Sequence, residues 1–123
     1  MGPNERSGEL NAAIATAVVG VVAAFTGHGP TRSRAFVHGD VVVCLLEDCM
    51  TKAERSLVAA GGSELVGQLR DGFQRATAPD MIAAVERLTG RAVATFLSGT
   101  STDANTDVEV FVLEPEPEGV TAK

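Results

Sequence analysis

The stretch Gly27-His28-Gly29-Pro30-Thr31-Arg32-Ser33-Arg34-Ala35-Phe36-Val37-His38-Gly39-Asp40-Val41-Val42-Val43-Cys44-Leu45-Leu46-Glu47-Asp48-Cys49-Met50-Thr51-Lys52-Ala53-Glu54 decides the fold. It opens on a Gly- and Pro-bearing turn that cannot continue a helix. Residues 31–37 then alternate, with Arg32, Arg34 and Phe36 set against Ser33, Ala35 and Val37. That period of two predicts a strand with both arginines on one face. Gly39-Asp40 has the Gly-first chemistry of a two-residue type II′ hairpin turn. Residues 41–46 are apolar without interruption, which predicts a central strand buried on both faces. Thr51 and Glu54 make a capping box, so a helix starts there.

On the N-terminal side, residues 10–25 hold no charged side chain. Ser7 is a suitable N-cap, Glu9 favours the positive end of the helix dipole and Gly27 suits C′. Leu10, Ile14, Ala17, Val18, Val21, Val22 and Phe25 follow helical spacing and predict one buried stripe. The other side, with Ala12, Ala15, Val19 and Ala23, is apolar too. A helix apolar on both sides must hide both, and a second copy of the chain through Ala12, Ala15, Val19 and Ala23 is the expected cover, giving a homodimer or higher homo-oligomer. Sixteen residues at ~1.5 Å each span about 24 Å, short of the roughly 30 Å hydrocarbon core. No basic segment precedes them as in a secretory signal, so no direct membrane insertion is expected.

On the C-terminal side, Gly61-Gly62 interrupts the capped helix, and Ser63 restarts the helical pattern with Leu65, Val66, Leu69 and Phe73 on one stripe. Thr77 with Asp80, and Pro79 between them, read as the opening of a further helix carrying Met81, Ile82, Val85 and Leu88. Gly90 ends it. Residues 91–97 and 108–113 read as strands joined by a polar loop over 98–107. The expected organisation is a flexible N-terminus over 1–7, one domain over 8–113 and a disordered acidic Pro/Glu tail over 114–123. The fold class is α+β: a four-stranded, mainly antiparallel sheet built from two hairpins, with three to four helices packed on it, in the order α-ββ-αα(α)-ββ.

The 123 residues suit a single core, and 45% hydrophobic with 21% charged is ordinary globular composition. Net charge is −6, and −4 without the three Glu and one Lys of residues 114–123. Spread acidity disfavours a nucleic-acid partner, because phosphate neutralisation needs clustered positive charge. A helix–hairpin–helix arrangement also occurs in type II KH domains. That family clamps phosphates with a Gly-x-x-Gly loop, whereas Gly61-Gly62 is followed by Ser63-Glu64. Two cysteines without CxxC spacing point to a reduced, cytoplasmic setting.

Several side chains are candidates for chemistry. His28, Arg32 and Arg34 suit an anion or partner contact, the arginines through bidentate hydrogen bonds. The bland alternatives are a polar turn tip for His28 and a salt bridge to Glu109 for the arginines. His38 and Asp40 could form a base and its orienter, or simply satisfy turn backbone. Glu47 and Asp48 fall short of a calcium site. Cys44 reads as inert core. Cys49 is expected to be more exposed, beside a helix N-terminus that would lower its pKa, so that His38, Asp40 and Cys49 define the enzyme alternative. No Gly-rich phosphate loop, nucleophile elbow or metal spacing appears, and no catalytic residue, cofactor or metal is assigned.

The ordered set Gly27-His28-Gly29-Pro30, His38-Gly39-Asp40, Leu46-Glu47-Asp48, Thr51-Lys52-Ala53-Glu54-Arg55-Ser56-Leu57, Leu88-Thr89-Gly90 and Val108-Glu109-Val110-Phe111-Val112-Leu113 resembles the small bacterial MpsC-like family over roughly residues 8–114. The family is named for association with a sodium-translocating, membrane-potential-generating system. The resemblance implies a cytosolic accessory or regulatory protein near a membrane ion or bicarbonate uptake system, with a possible membrane-protein partner and no catalytic residues to carry over. The residues themselves allow an alternative, a small-anion or metabolite sensor using the Gly27–Pro30 turn with Arg32 and Arg34. The 98–107 loop departs from the family, since Gly99-Thr100-Ser101 stands where a more acidic, His-containing turn is expected.

Overall fold

A computed structural model describes residues 3–116 of the chain, and side chains from Ser7 onward. The elements are α1 (Pro3–Thr26), β1 (Arg32–His38), β2 (Val41–Glu47), α2 (Lys52–Ala59), α3 (Ser63–Thr89), β3 (Val93–Ser101) and β4 (Thr106–Leu113). The four strands form one antiparallel sheet in the order β1-β2-β4-β3. The expected α+β class holds, with three helices, and the strand order left open by sequence places both apolar strands, β2 and β4, at the centre. The acidic tail expected from residue 114 lies mostly outside the described residues, which end at Glu116.

Local signals hold at the first hairpin and the cap. Of the two turn residues only Gly39 has positive φ, as a II′ turn requires. Thr51 Oγ1 accepts from the Glu54 amide at 3.2 Å and Glu54 Oε1 accepts from the Thr51 amide at 2.7 Å, both arms of the capping box. Gly27, at φ +78°, closes α1 by donating to the Ala23 carbonyl at 2.9 Å.

Five expectations are corrected. The helix α1 begins at Pro3, so Ser7 lies inside it rather than capping it. The strand β2 is buried on one face only: Val42, Cys44 and Leu46 are fully buried, whereas Val41, Val43 and Leu45 point away from the helices. An open sheet face explains the second set, because α1 and α3 lie on the other side.

The third correction concerns α3, which runs unbroken through Thr77, Pro79 and Asp80. Pro79 has no N–H for the Arg75 carbonyl, but both residues are exposed, so the break in the ladder faces solvent rather than the core. The Thr77 hydroxyl donates back to the Phe73 carbonyl at 2.8 Å instead of capping a new helix. Fourth, the inward stripe of α3 is Val66, Arg70, Gln74, Thr77, Met81 and Val85, while Leu65 and Leu69 are 58% and 44% exposed. Fifth, β3 and β4 extend through the supposed 98–107 loop, leaving a turn of only four residues. Of the polar residues that read as loop, Thr100 and Asp107 are strand residues whose side-chain partners, Gln74 and Arg70, come from α3.

The core joins Ile14, Val18 and Val22 of α1, Met81 and Val85 of α3, and Val42, Cys44, Leu46, Phe111 and Leu113 of the sheet. Phe96 packs on Phe111 with ring centroids 5.0 Å apart. At the α2–α3 junction Gly61 has φ +94°, and a Cβ on Gly62 would sit 2.7 Å from Leu57 Cγ and 3.0 Å from the Leu57 carbonyl oxygen. Gly62→Ala is therefore expected to destabilise the domain by about 1–3 kcal/mol, the usual scale of overpacking, read as a lower urea midpoint at unchanged slope.

Candidate functional site

The buried face of α3 brings Arg70 beneath the sheet, where its guanidinium is 2% exposed. Nη2 donates to Asp107 Oδ2 at 2.7 Å, and Nη1 lies 3.4 Å from both Glu54 carboxylate oxygens and 3.5 Å from the Cys49 carbonyl. Asp107 also accepts from the Thr100 hydroxyl at 2.9 Å, and Gln74 Nε2 donates to the Gly99 carbonyl and to Thr100. One residue of α3 thus ties together the α2 cap, β4 and the loop before α2. Burial alone would lower the Arg70 pKa, but Asp107 and Glu54 hold it charged, above its ordinary value.

Glu109 lies two residues along the same face of β4 and is 1% exposed. Burial, reinforced by the Asp107 charge, pushes its carboxyl up to about 8, against the opposing pull of Arg70 and Gln74. Glu109 Oε1 and Arg70 Nε have no hydrogen-bond partner, and both residues line a cavity of about 10 Å³ closed by Val22 and Thr26 of α1. That is room for one water and no larger ligand.

Cys49, expected to be exposed and acidified, is fully buried. Burial and the neighbouring Asp107 push its thiol up to about 12, and burial with Glu109 does the same to Cys44. Neither thiol is a nucleophile in the folded state. Iodoacetamide is expected to modify both only after unfolding; labelling of Cys49 in native protein at the rate of a free thiol would contradict this placement.

The remaining candidates are spread along the first hairpin. His28 Nε2 bonds the Asp48 carbonyl at 3.0 Å, beside the Thr31–Asp48 side-chain hydrogen bond. Arg32 and Arg34 do share a face, as the alternation predicts, but each lies 3.8 Å from Glu47. Glu109, the partner suggested from sequence, is on the opposite face of the sheet. His38 is exposed at the far end of β1. Asp40 pairs with Arg91, not His38: Arg91 Nη2 lies 2.6 Å from Asp40 Oδ1 and from the Glu114 carbonyl, a clamp between the two hairpins. Six residues along β1 separate Arg32 from His38, about 20 Å at strand rise, so these five side chains do not converge on one ligand. Among the described residues no cluster of three or more His, Cys, Asp or Glu suits a metal.

Of the four α1 residues expected at a self-association face, Ala15 is 8% exposed and belongs to the core, Val19 and Ala23 are partly buried, and Ala12 is exposed. A further open side of α1 runs along Ala17, Gly20 and Ala24, which with Phe25, Ala84 and Arg87 borders a groove of about 510 Å³ against α3. The apolar helix extends over residues Ser7–Thr26, longer than the sixteen residues counted from sequence and at ~1.5 Å per residue about 30 Å, long and apolar enough to cross a membrane. In this fold Ile14, Val18 and Val22 occupy the core instead.

The charged cluster is hard to see in sequence because Glu54, Arg70 and the Asp107/Glu109 pair lie 16 to 55 positions from one another. One signal was available: acidic residues at 107 and 109 alternate with Val108 and Val110, so both must point to the same face of a strand.

Comparison with known families settles what this architecture is related to. The family model described as "Na+-translocating membrane potential-generating system (MpsC)" matches residues 6–115. The chain belongs to the MpsC family. No curated protein and no solved structure matches it. The MpsC match covers all seven elements except the first turn of α1, so the buried cluster and the clamp at Arg91 both lie inside the family's domain.

Proposed function

We propose that this chain is a non-catalytic accessory or regulatory protein of a membrane ion or bicarbonate transport system, acting in the cytoplasm as a self-associating domain with a membrane-protein partner. Membership of the MpsC family is the observation that carries this reading. The chemistry of the site supports it. Arg70, Glu54 and Asp107 are engaged with one another, both thiols are buried and raised, and Asp40 is held by Arg91. What the protein offers to a partner is surface: an open sheet face and the groove between α1 and α3.

The test is deletion of the gene in its native cell, with sodium-dependent membrane potential followed by a potential-sensitive dye. A reduced potential, restored by the wild-type gene and equally by a copy carrying His38→Ala, is expected. An unchanged potential would contradict the link to the transport system, and failure of the His38→Ala copy would favour an enzyme.

A further inference from the structure

The helices α1 and α3 cover one face of the sheet, and the register lines up the side chains of the other face in four rows. Phe36, Val43, Val110 and Leu97 form one row across β1, β2, β4 and β3. Arg34, Leu45, Val108 and Gly99 form the next, followed by Arg32, Glu47, Thr106 and Ser101. On the other side His38, Val41, Val112 and Thr95 complete the set. The centre is therefore apolar from edge to edge. Its two most exposed large side chains, Phe36 at 48% and Leu97 at 57%, stand at opposite ends of the same row.

That placement makes the face self-complementary in one particular way. A two-fold axis parallel to the strands exchanges the β1 and β3 edges while leaving each row opposite itself, as in an isologous contact. Phe36 of each copy then meets Leu97 of the other, twice. Arg32 comes opposite Ser101 of the second copy, next to the turn that carries Asp103, which is exposed. Little of the chain's net charge of −6 is carried here, since two arginines stand against one glutamate on the outer face, so a contact between copies at this face brings little like charge together. Four strands about 4.8 Å apart and seven residues long at about 3.4 Å give roughly 450 Å² of flat footprint before side-chain relief. Against the roughly 800 Å² per partner of a standard interface, this fits a dimer of modest affinity rather than an obligate one.

We propose that the outer sheet face is where two copies of this chain meet, stacked face to face about a two-fold axis parallel to the strands, with Phe36 of each copy on Leu97 of the other. The inference rests on the self-association in the proposed function and moves it from α1 to the sheet.

Two substitutions at exposed positions test it. Phe36→Lys and Leu97→Glu are purified separately, and their masses are followed by light scattering after size exclusion at tens to hundreds of micromolar. Wild type is expected to dimerise, and each variant alone to remain monomeric. Mixed together, one copy of each restores a dimer, because one contact becomes Lys opposite Glu and the other stays Phe opposite Leu. Restoration also requires that both variants are folded. A wild-type monomer at several hundred micromolar would overturn both this surface and self-association. A wild-type dimer whose variants stay dimeric would overturn the surface alone. Monomeric variants with native circular dichroism that fail to complement each other would overturn the two-fold pairing.

Discussion

Replacing Arg70 by methionine is expected to lower the unfolding free energy by about 3–5 kcal/mol, the scale seen when one member of a buried ion pair is removed. The side-chain volume is nearly kept, so the loss is electrostatic. Glu54 and Asp107, both buried, are left facing each other without the cation between them. The capping box would suffer with them, since Glu54 Oε1 serves both the Thr51 amide and Arg70. Urea denaturation at pH 7 measures the effect. The double variant Arg70→Met with Asp107→Leu is expected to recover part of it, because the second change removes a carboxylate that the first left uncompensated. Strictly additive losses would show that the pair is not coupled.

The second large effect is on pH dependence. Glu109 titrates near 4.5 when unfolded and is pushed up to about 8 in the fold, so the folded state holds its proton more tightly. Its favourable contribution is fully present below pH 4.5 and is lost as pH rises through 8. Over that window one proton is involved, and about 1.4 kcal/mol per pH unit sums to the order of 5 kcal/mol. Glu109→Gln has nearly the same shape as the protonated acid and cannot ionise. Its stability is expected to exceed that of wild type increasingly from pH 5 to pH 8. A constant difference between the two proteins across that range would contradict the buried, neutral carboxyl.

Local chemistry carried the sequence reading where neighbours in the chain decide the outcome. The Gly39-Asp40 turn, the Thr51–Glu54 box and the stops at Gly27 and Gly90 depend on contacts within about four residues. The errors share a different cause. Leu65 and Leu69 read as core because they are apolar, and nothing in the local pattern marks Arg70 or Gln74 as facing inward. In the fold the helix is turned so that Arg70 and Gln74 face Asp107 and Thr100, about 30 residues away. The same long-range partners turn residues 98–107 from an expected loop into paired strand. Hydrophobic periodicity cannot register a polar face that is satisfied from elsewhere in the chain.

The candidate site was less legible than the fold for the same reason. His28, Arg32, Arg34, His38 and Asp40 crowd together in sequence, yet an extended hairpin separates its two ends, whereas the side chains that do gather are scattered through α2, α3 and β4. The hairpin's importance becomes structural. Glu47 holds Arg32 and Arg34 on the outer face, and Arg91 fastens Asp40 to the second hairpin.

The orientation of α3 underlies the buried cluster, the exposed Leu65 and Leu69, and the groove against α1. Measuring Leu69→Ala and Arg70→Met side by side in urea at pH 7 tests it most directly. With Arg70 inward and Leu69 largely in solvent, Leu69→Ala is expected to cost less than about 1 kcal/mol and Arg70→Met several-fold more. A loss of about 3 kcal/mol or more at Leu69 with little change at Arg70, the pattern of a buried leucine and a surface arginine, would contradict the account.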